Sequence, residues 1–373
     1  MSVTDDTHAR PRLCDVAEQA GVSSATASRV LTGSARVRPE TRRVVEEVVA
    51  RLGYVRNRAA HSSARRHTGS VAFVVCEDSS RVFSEPFFQL ILRSCSRELL
   101  SQGIQPVLLT ARSPRDQQIA SRYLRNGHVD GAVLVSMHGR RPLDIPWLDV
   151  PVVLAGRPFC DDAGLSYVDA DNVGGAKTAV RYLLKRGRRA VATVAGPADM
   201  SAGVDRLRGY RMTMGDAGLS DPGLIIFGDF GRVSAEHAVY RLLDRRPDLD
   251  AVFAASELMA AGVLSALSKS GRRVPDDVAV VSFEDSPLAR HTNPKLTAVR
   301  QPVEAMGERL ARELLALIAQ RGREPVKVML ETELLIRESA LRPPADIRRP
   351  GGGCSPRTRQ RREHRRSFGH RLP

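Results

Sequence analysis

The chain has 373 residues, 42% of them apolar, enough for two or three compact units with a sizeable core and too apolar for a disordered protein. No run of about 18 apolar residues occurs, which excludes a helical membrane span, and Met1–Arg10 lacks the apolar segment of a secretory leader, so a cytoplasmic protein is expected. The net charge of +15 sits at the ends: residues 1–68 carry 12 Lys and Arg against 7 Asp and Glu, residues 342–373 carry 10 against 2, and the long middle is nearly balanced at 35 against 33. Basic ends on a neutral body suit a nucleic-acid-binding head on a sensing domain. The five cysteines (Cys14, Cys76, Cys95, Cys160 and Cys354) are scattered without metal-ligand spacing and read as reduced thiols, so neither a metal nor a cofactor is expected.

Residues 1–10 read as a flexible lead. Leu13, Val16, Ala17 and Ala20 recur at helical spacing, Gly21 can end that helix in a left-handed conformation, and Ser23 is a good N-cap for a second helix over Ser24–Leu31, with Val22 as a plug in the turn. Two short helices joined by a Gly turn read as a helix-turn-helix. The second offers small side chains (Ser24, Ala25, Thr26, Ser28) around one long one, Arg29, which lets the backbone approach a surface while a guanidinium pairs with a guanine edge. Pro39 and Glu40 suit a third helix, whose apolar stripe reads as Val44, Val45, Val48, Val49 and Leu52.

The run Leu-x-Asp-Val-Ala-x-x-Ala-Gly-Val-Ser-x-Ala-Thr-x-Ser-Arg-Val-Leu-x-Gly, from Leu13 to Gly33, resembles the DNA-binding head of the LacI/GalR family of bacterial repressors. The likeness continues through Val37-Arg38-Pro39-Glu40-Thr41-Arg42 and Leu52-Gly53-Tyr54, and then to about Leu341. The resemblance implies a regulator, a repressor by type, that binds a pseudo-palindromic operator in double-stranded DNA as a homodimer, with tetramers left open. Ser24, Ala25 and Arg29 would contact bases, while Ser23, Thr26, Ser28, Thr41 and Tyr54 would contact the DNA backbone.

Residues 55–69 are rich in Arg, Ala, Ser and His. By the resemblance they form a hinge, marked by Asn57, Ala60, His61 and Ser63, that folds on DNA and enters the minor groove. The family's wedging Leu is Ser63 here, which has no apolar bulk to insert, so a solvated basic linker is the competing reading.

From Gly69 short apolar runs alternate with helical stretches. Val71–Val75, Ile104–Leu109, Gly131–Val135, Pro151–Leu154, Ala190–Val194, Leu224–Phe227, Ala251–Ala255 and Val278–Ser282 read as buried parallel strands. Helices are expected over Phe87–Gln102, Asp116–Asn126, Gly174–Arg186, Leu207–Gly218, Ala235–Arg245, Glu257–Ser270 and Met306–Gln320, with a last strand over Glu333–Glu338. This alternation indicates an α/β body of two doubly wound lobes. The resemblance makes it periplasmic-binding-protein-like, with chain crossings near Asp169, Thr297 and Val326 and a small polar effector in the cleft, a carbohydrate among the candidates. Arg206, in Arg206-Leu207-Arg208-Gly209-Tyr210, matches the family's sensing Arg; a lobe-bridging ion pair is the alternative role. Phe230, Ser256, Glu284 and Gln301 take the other effector positions. Gly156 stands where a sugar-binding Asp is frequent, and Arg157 could fill part of that space.

The chain therefore divides into a lead (1–10), a helix-turn-helix head (11–54), a hinge (55–69), a body (70–341) and a disordered basic tail (342–373). The tail's Arg-rich run, Arg357 to Arg366, reads either as an electrostatic DNA tether or as an extension without a role. Two other classes compete with a regulator: an α/β enzyme and a solute-binding protein with a fused head. Gly175-Ala176-Lys177-Thr178 lacks the Gly-x-x-x-x-Gly-Lys pattern that a phosphate-binding loop needs, no nucleophile elbow is present, and His138, His237 and His291 are isolated in sequence, so no enzyme is expected.

Overall fold

The computed structural model describes residues 13–31, 34, 37–52, 67–139, 150–160, 164–320 and 322–341. Three helices form the head: α1 (Leu13–Gln19), α2 (Ser24–Leu31) and α3 (Pro39–Leu52). Gly21 adopts φ +62° in the turn, where an L side chain would be strained. The Val22 amide then bonds back to the Ala17 carbonyl at 3.0 Å and drops its side chain against the head core. That core is Val16, Ala17, Ala27, Val30, Val45 and Val48. Val44 is the exception to the expected stripe: it is exposed, because 45, 48, 49 and 52 share one helical face and 44 lies off it. Gly53, Tyr54 and the hinge residues Asn57, Ala60, His61 and Ser63 lie outside the described residues, as do the lead and the tail.

The body is two six-stranded sheets. The first lobe carries β1 (Ser70–Val75), β2 (Gln105–Thr110), β3 (Gly131–Val135), β4 (Val152–Ala155) and β5 (Ser166–Ala170). The second carries β6 (Val191–Ala195), β7 (Ile225–Phe227), β8 (Ala251–Ala254), β9 (Ala279–Phe283) and β10 (Thr297–Arg300). The chain then returns to the first sheet with β11 (Lys327–Leu330) and ends in the second with β12 (Glu333–Leu335). The sheet orders are β11-β5-β4-β3-β1-β2 and β12-β10-β9-β8-β6-β7, all parallel except the β10–β12 pair. The Val- and Ala-rich strands are buried on both faces, which is why they read as continuous apolar runs.

Helices cover both faces of each sheet. They are α4 (Ser79–Ser84), α5 (Pro86–Ser101) and α6 (Pro114–Arg125) in the first lobe, and α7 (Asn172–Lys185), α8 (Ser201–Asp216), α9 (Arg232–Arg245), α10 (Glu257–Lys269) and α11 (Pro287–His291) in the second. The last helix, α12 (Val303–Ala319), packs on the first sheet beside α5. The chain changes lobe at 170–172, 300–303 and 330–333, each slightly later than expected.

Two further boundaries moved. Helix α8 begins at Ser201 rather than Leu207, because its first six residues, Ser-Ala-Gly-Val-Asp-Arg, carry no apolar period. The last strand stops at Leu335 and is followed by a short 3-10 turn over Glu338–Ala340, where Ser339 turns inward and donates to the Val280 carbonyl at 2.6 Å. No helix among the described residues is long and apolar enough to cross a membrane.

Candidate functional site

The head presents α2 outward. Ser23, Ser24, Ala25 and Arg29 are exposed, Thr26, Ser28 and Thr41 are half-buried, and Ala27 and Val30 hold the helix to the core. Ser23 caps the helix: its hydroxyl accepts the Thr26 amide at 3.2 Å and pairs with the Thr26 hydroxyl at 2.9 Å. Arg42 donates to the Ser34 carbonyl at 2.8 Å and Arg51 to Gln19 at 2.9 Å, tying α3 to the rest of the head.

The second site lies between the lobes, at the C-terminal ends of their strands, where open α/β sheets place ligands. Arg206, Phe230, Ser256, Glu284 and Gln301 all line one cavity of about 980 Å³, counted with its open mouth. Arg206 projects from α8 and is only 3% exposed. Its Nε donates to Asn172 at 2.9 Å, and its Nη1 donates to the Ala255 carbonyl at 2.6 Å and to Glu284 Oε1 at 3.4 Å. Its guanidinium carbon sits 3.9 Å from the Phe283 ring centre and 5.6 Å from that of Phe230. Burial pushes the Glu284 carboxyl up to about 7, against the pull of Arg206. Gln301 donates to the same Glu284 oxygen at 3.4 Å.

Ser256 has a structural duty as well: it caps α10, accepting the Met259 amide at 3.1 Å while its hydroxyl donates to the Phe230 carbonyl at 2.9 Å. Ser136, Phe230 and Glu284 hold φ values of +57°, +69° and +78°, and all three line the cavity. Such conformations cost of the order of 1–3 kcal/mol each and persist where their surroundings over-determine them. At Glu284 the clamps are visible: its amide donates to the Val299 carbonyl at 2.8 Å, and the side chain of the next residue, Asp285, is buried among Arg290, Arg300 and Arg337.

Further charged groups join these, of which only Arg157 was marked by the sequence. Arg157, next to Gly156 (φ +97°), reaches from the first lobe to Asp205 on α8, with Nε to Oδ2 at 2.5 Å and Nη2 to Oδ1 at 2.8 Å. Arg157 and Asp205 therefore make an ion pair that bridges the lobes, whereas Arg206 meets Glu284 within its own lobe. Arg81 on α4 is held by Glu77 at 3.0 Å and by Glu85 at 2.7 Å. Burial raises the Glu85 carboxyl. Burial works the same way at Glu77, but there the bond from His138, with Arg81 and Ser136, keeps the carboxyl below its ordinary range.

His138 is the other correction. Isolated in sequence, it bridges carboxylates from both lobes: Glu77 at 3.1 Å and Asp199 at 3.0 Å. The Gly139 amide adds a bond to the Asp199 carbonyl at 2.8 Å. The bond to Glu77, and then the one to Asp199, raise the His138 pKa above 6.5 against its burial. The charged clasp is then complete below pH 6.5 and fades as pH rises through the raised value. Arg112, 3.4 Å from Nε2, and Ser136 are the other polar groups close by. Lobe closure and ligand affinity should weaken with rising pH in the wild type, and His138→Gln should flatten that slope. Glu284 titrates in the same range, so calorimetry across about pH 6–8 must compare the two proteins; parallel profiles would remove the clasp.

A helix-turn-helix head on a two-lobed body with a polar cleft defines a ligand-controlled DNA-binding regulator. Residues 12–57 match the model described as "Bacterial regulatory proteins, lacI family", and residues 180–340 match the "Periplasmic binding protein-like domain". The chain is 46% identical over 334 residues to the HTH-type transcriptional regulator CelR of Thermobifida fusca, covering 88% of this chain and 98% of that protein. It is 28% identical over 331 residues to the ribose operon repressor of Halalkalibacterium halodurans, covering 87% and 96%. Among solved structures, a "transcriptional regulator CelR-cellobiose complex" superposes with TM-score 0.71 at 45% identity, covering 88% of this chain and all of that one. The lac repressor dimer bound to operator and the anti-inducer ONPF gives 0.79 at 22% identity, a likeness of fold, covering 90% and 100%. The protein belongs to the LacI family of bacterial regulatory proteins: it is a DNA-binding transcription regulator with an effector-binding body, and not an enzyme.

Proposed function

We propose that the protein is a homodimeric repressor whose two recognition helices enter successive major grooves of a pseudo-palindromic operator. Arg29 reads a guanine, Ser24 and Ala25 set neighbouring preferences by their size, and Ser23, Thr26, Ser28, Thr41 and Tyr54 hold phosphates. The working division is a head over 11–54, a hinge over 55–69 that includes Asn57, Ala60, His61 and Ser63, a body over 70–341 and a basic tail over 342–373. The ligand is a carbohydrate of the cello-oligosaccharide class, held in the cleft by Arg206, Glu284, Gln301 and Phe230. It changes the angle between the lobes, hence the spacing of the heads. Operator and ligand must then change each other's affinity by the same factor.

One observation carries this reading: Arg206, Phe230, Ser256, Glu284 and Gln301, spread over 96 positions of sequence, converge on one cleft where the lobes meet. The structure of a 45% identical regulator, described as a cellobiose complex, supports the ligand class. The test is selection of bound duplexes from a random pool at near-physiological salt, with and without cellobiose. A two-fold symmetric site whose occupancy responds to cellobiose is expected. Salt-sensitive binding without sequence preference would overturn the operator reading, and a symmetric site indifferent to cellobiose would overturn the ligand.

A further inference from the structure

The charges of the cleft narrow the ligand further. Among the described residues, five carboxyl groups (Glu77, Glu85, Asp169, Glu257 and Glu284) and three guanidinium groups (Arg81, Arg157 and Arg206) line the cavity. Every one of those guanidinium groups already faces a carboxylate of the protein. Arg81 spends Nε and Nη2 on Glu85 and Nη1 on Glu77. Arg157 spends Nε and Nη2 on Asp205 and Nη1 on the Pro158 carbonyl. Arg206 is divided between Asn172, the Ala255 carbonyl and Glu284. Asp169 is buried and accepts the amides of Arg157 and Ala170 as well as the Asn172 side chain, and Glu257 accepts the Ser286 amide. What remains for a ligand is the Arg206 Nη2 together with a set of carboxyl and amide groups, which suit hydroxyls, beside Phe87, Phe230, Met137 and Met200, which suit the C–H faces of a sugar ring.

We infer that the cleft is built to admit an uncharged carbohydrate and to reject the same sugar carrying a phosphate or a carboxylate. An anionic group would find each cation neutralised and would face surplus carboxylates in a low-dielectric cleft, where one like charge costs far more than in water. Discrimination arises from repulsion as much as from attraction. Arg157 and Asp205 are the specificity-determining pair, because their bond both bridges the lobes and removes the one guanidinium that the first lobe's β4 end contributes to the cavity. The inference rests on the carbohydrate reading above and adds a selection by charge.

The experiment is calorimetry on the full chain at pH 8. The probes are cellobiose, its 6′-phosphate, its aldonic acid and an uncharged 6′-O-acetyl derivative that adds bulk without charge. The expected result is that cellobiose binds, the acetyl derivative loses little, and both anionic forms bind more weakly by on the order of 30-fold. In Asp205→Asn, Arg157 loses its hydrogen-bonded carboxylate, and the ratio of anionic to neutral affinity should rise roughly ten-fold. Glu85→Gln, which relaxes Arg81, should shift the same ratio in the same direction and serves if Asp205→Asn does not fold. Anionic forms that bind within about three-fold of cellobiose would overturn the charge selection. So would a rejection shared by the acetyl derivative, or a ratio unmoved in every variant that folds, since shape alone would then explain it. A protein that binds none of the four sugars would overturn the carbohydrate reading itself, and the inference with it.

Discussion

Replacing Arg206 with Ala should abolish the response to ligand while leaving operator binding intact. The side chain is buried and makes three polar contacts across the floor of the cleft, stacked on Phe283. Its removal leaves Asn172 and the Ala255 carbonyl without their partner. Glu284, already pushed up to about 7 by burial, loses the cation that pulls against that burial and should stay protonated to higher pH. Truncating one member of a buried hydrogen-bonded charge pair costs about 2–5 kcal/mol, so ligand affinity should fall by roughly 30-fold or more. Arg206→Lys keeps the charge but not the fork, and should recover only part of the loss. Ligand titrations of a preformed operator complex measure this directly, with thermal unfolding as the control for collapse of the lobe. A variant that still releases or tightens on operator as the wild type does would move the sensing group elsewhere.

The second large effect concerns the other end of the molecule. Arg29→Ala should lower affinity for the selected operator by about 1–3 kcal/mol, roughly 5- to 150-fold, and should relax the preference for one guanine per half-site. Arg29 is the one long side chain on the exposed face of α2, and Ala27 and Val30 lock the orientation of that helix against the head core. Non-specific binding should fall little, because it depends on the total number of phosphates neutralised. Binding to the selected operator and to scrambled duplex, each across a salt series, separates the two terms. A mutant that loses affinity equally for both sequences would make Arg29 a phosphate contact.

The two ends of the molecule differ in how legible they were. In the head, cap, turn glycine and apolar spacing all act within a few residues of one another. Local rules therefore sufficed for α1, α2 and most of α3, and only Val44 was misplaced. In the body, the strands that read clearly were continuous apolar runs, whether fully buried like β1 and β3 or partly exposed like β2 and β7. β5, β10 and β11 were missed because polar residues interrupt their apolar runs: Ser166 and Asp169 in β5, Thr297 and the exposed Arg300 in β10, and Lys327 in β11, which alternates exposed and half-buried positions at the sheet edge.

Sequence by itself determined the head, the α/β alternation and, through family resemblance, five positions that do meet in one cleft. Tertiary structure alone decided which charges neutralise which. Arg157 and Asp205 are 48 residues apart, His138 and Asp199 are 61 apart, and Arg206 and Glu284 are 78 apart. No local pattern links such pairs, because contact between them is set by how two sheets and their crossings bring strand ends together. Side-chain chemistry is written locally along the chain, whereas the charge balance of a cleft is a sum over distant residues, and only the folded geometry performs that sum.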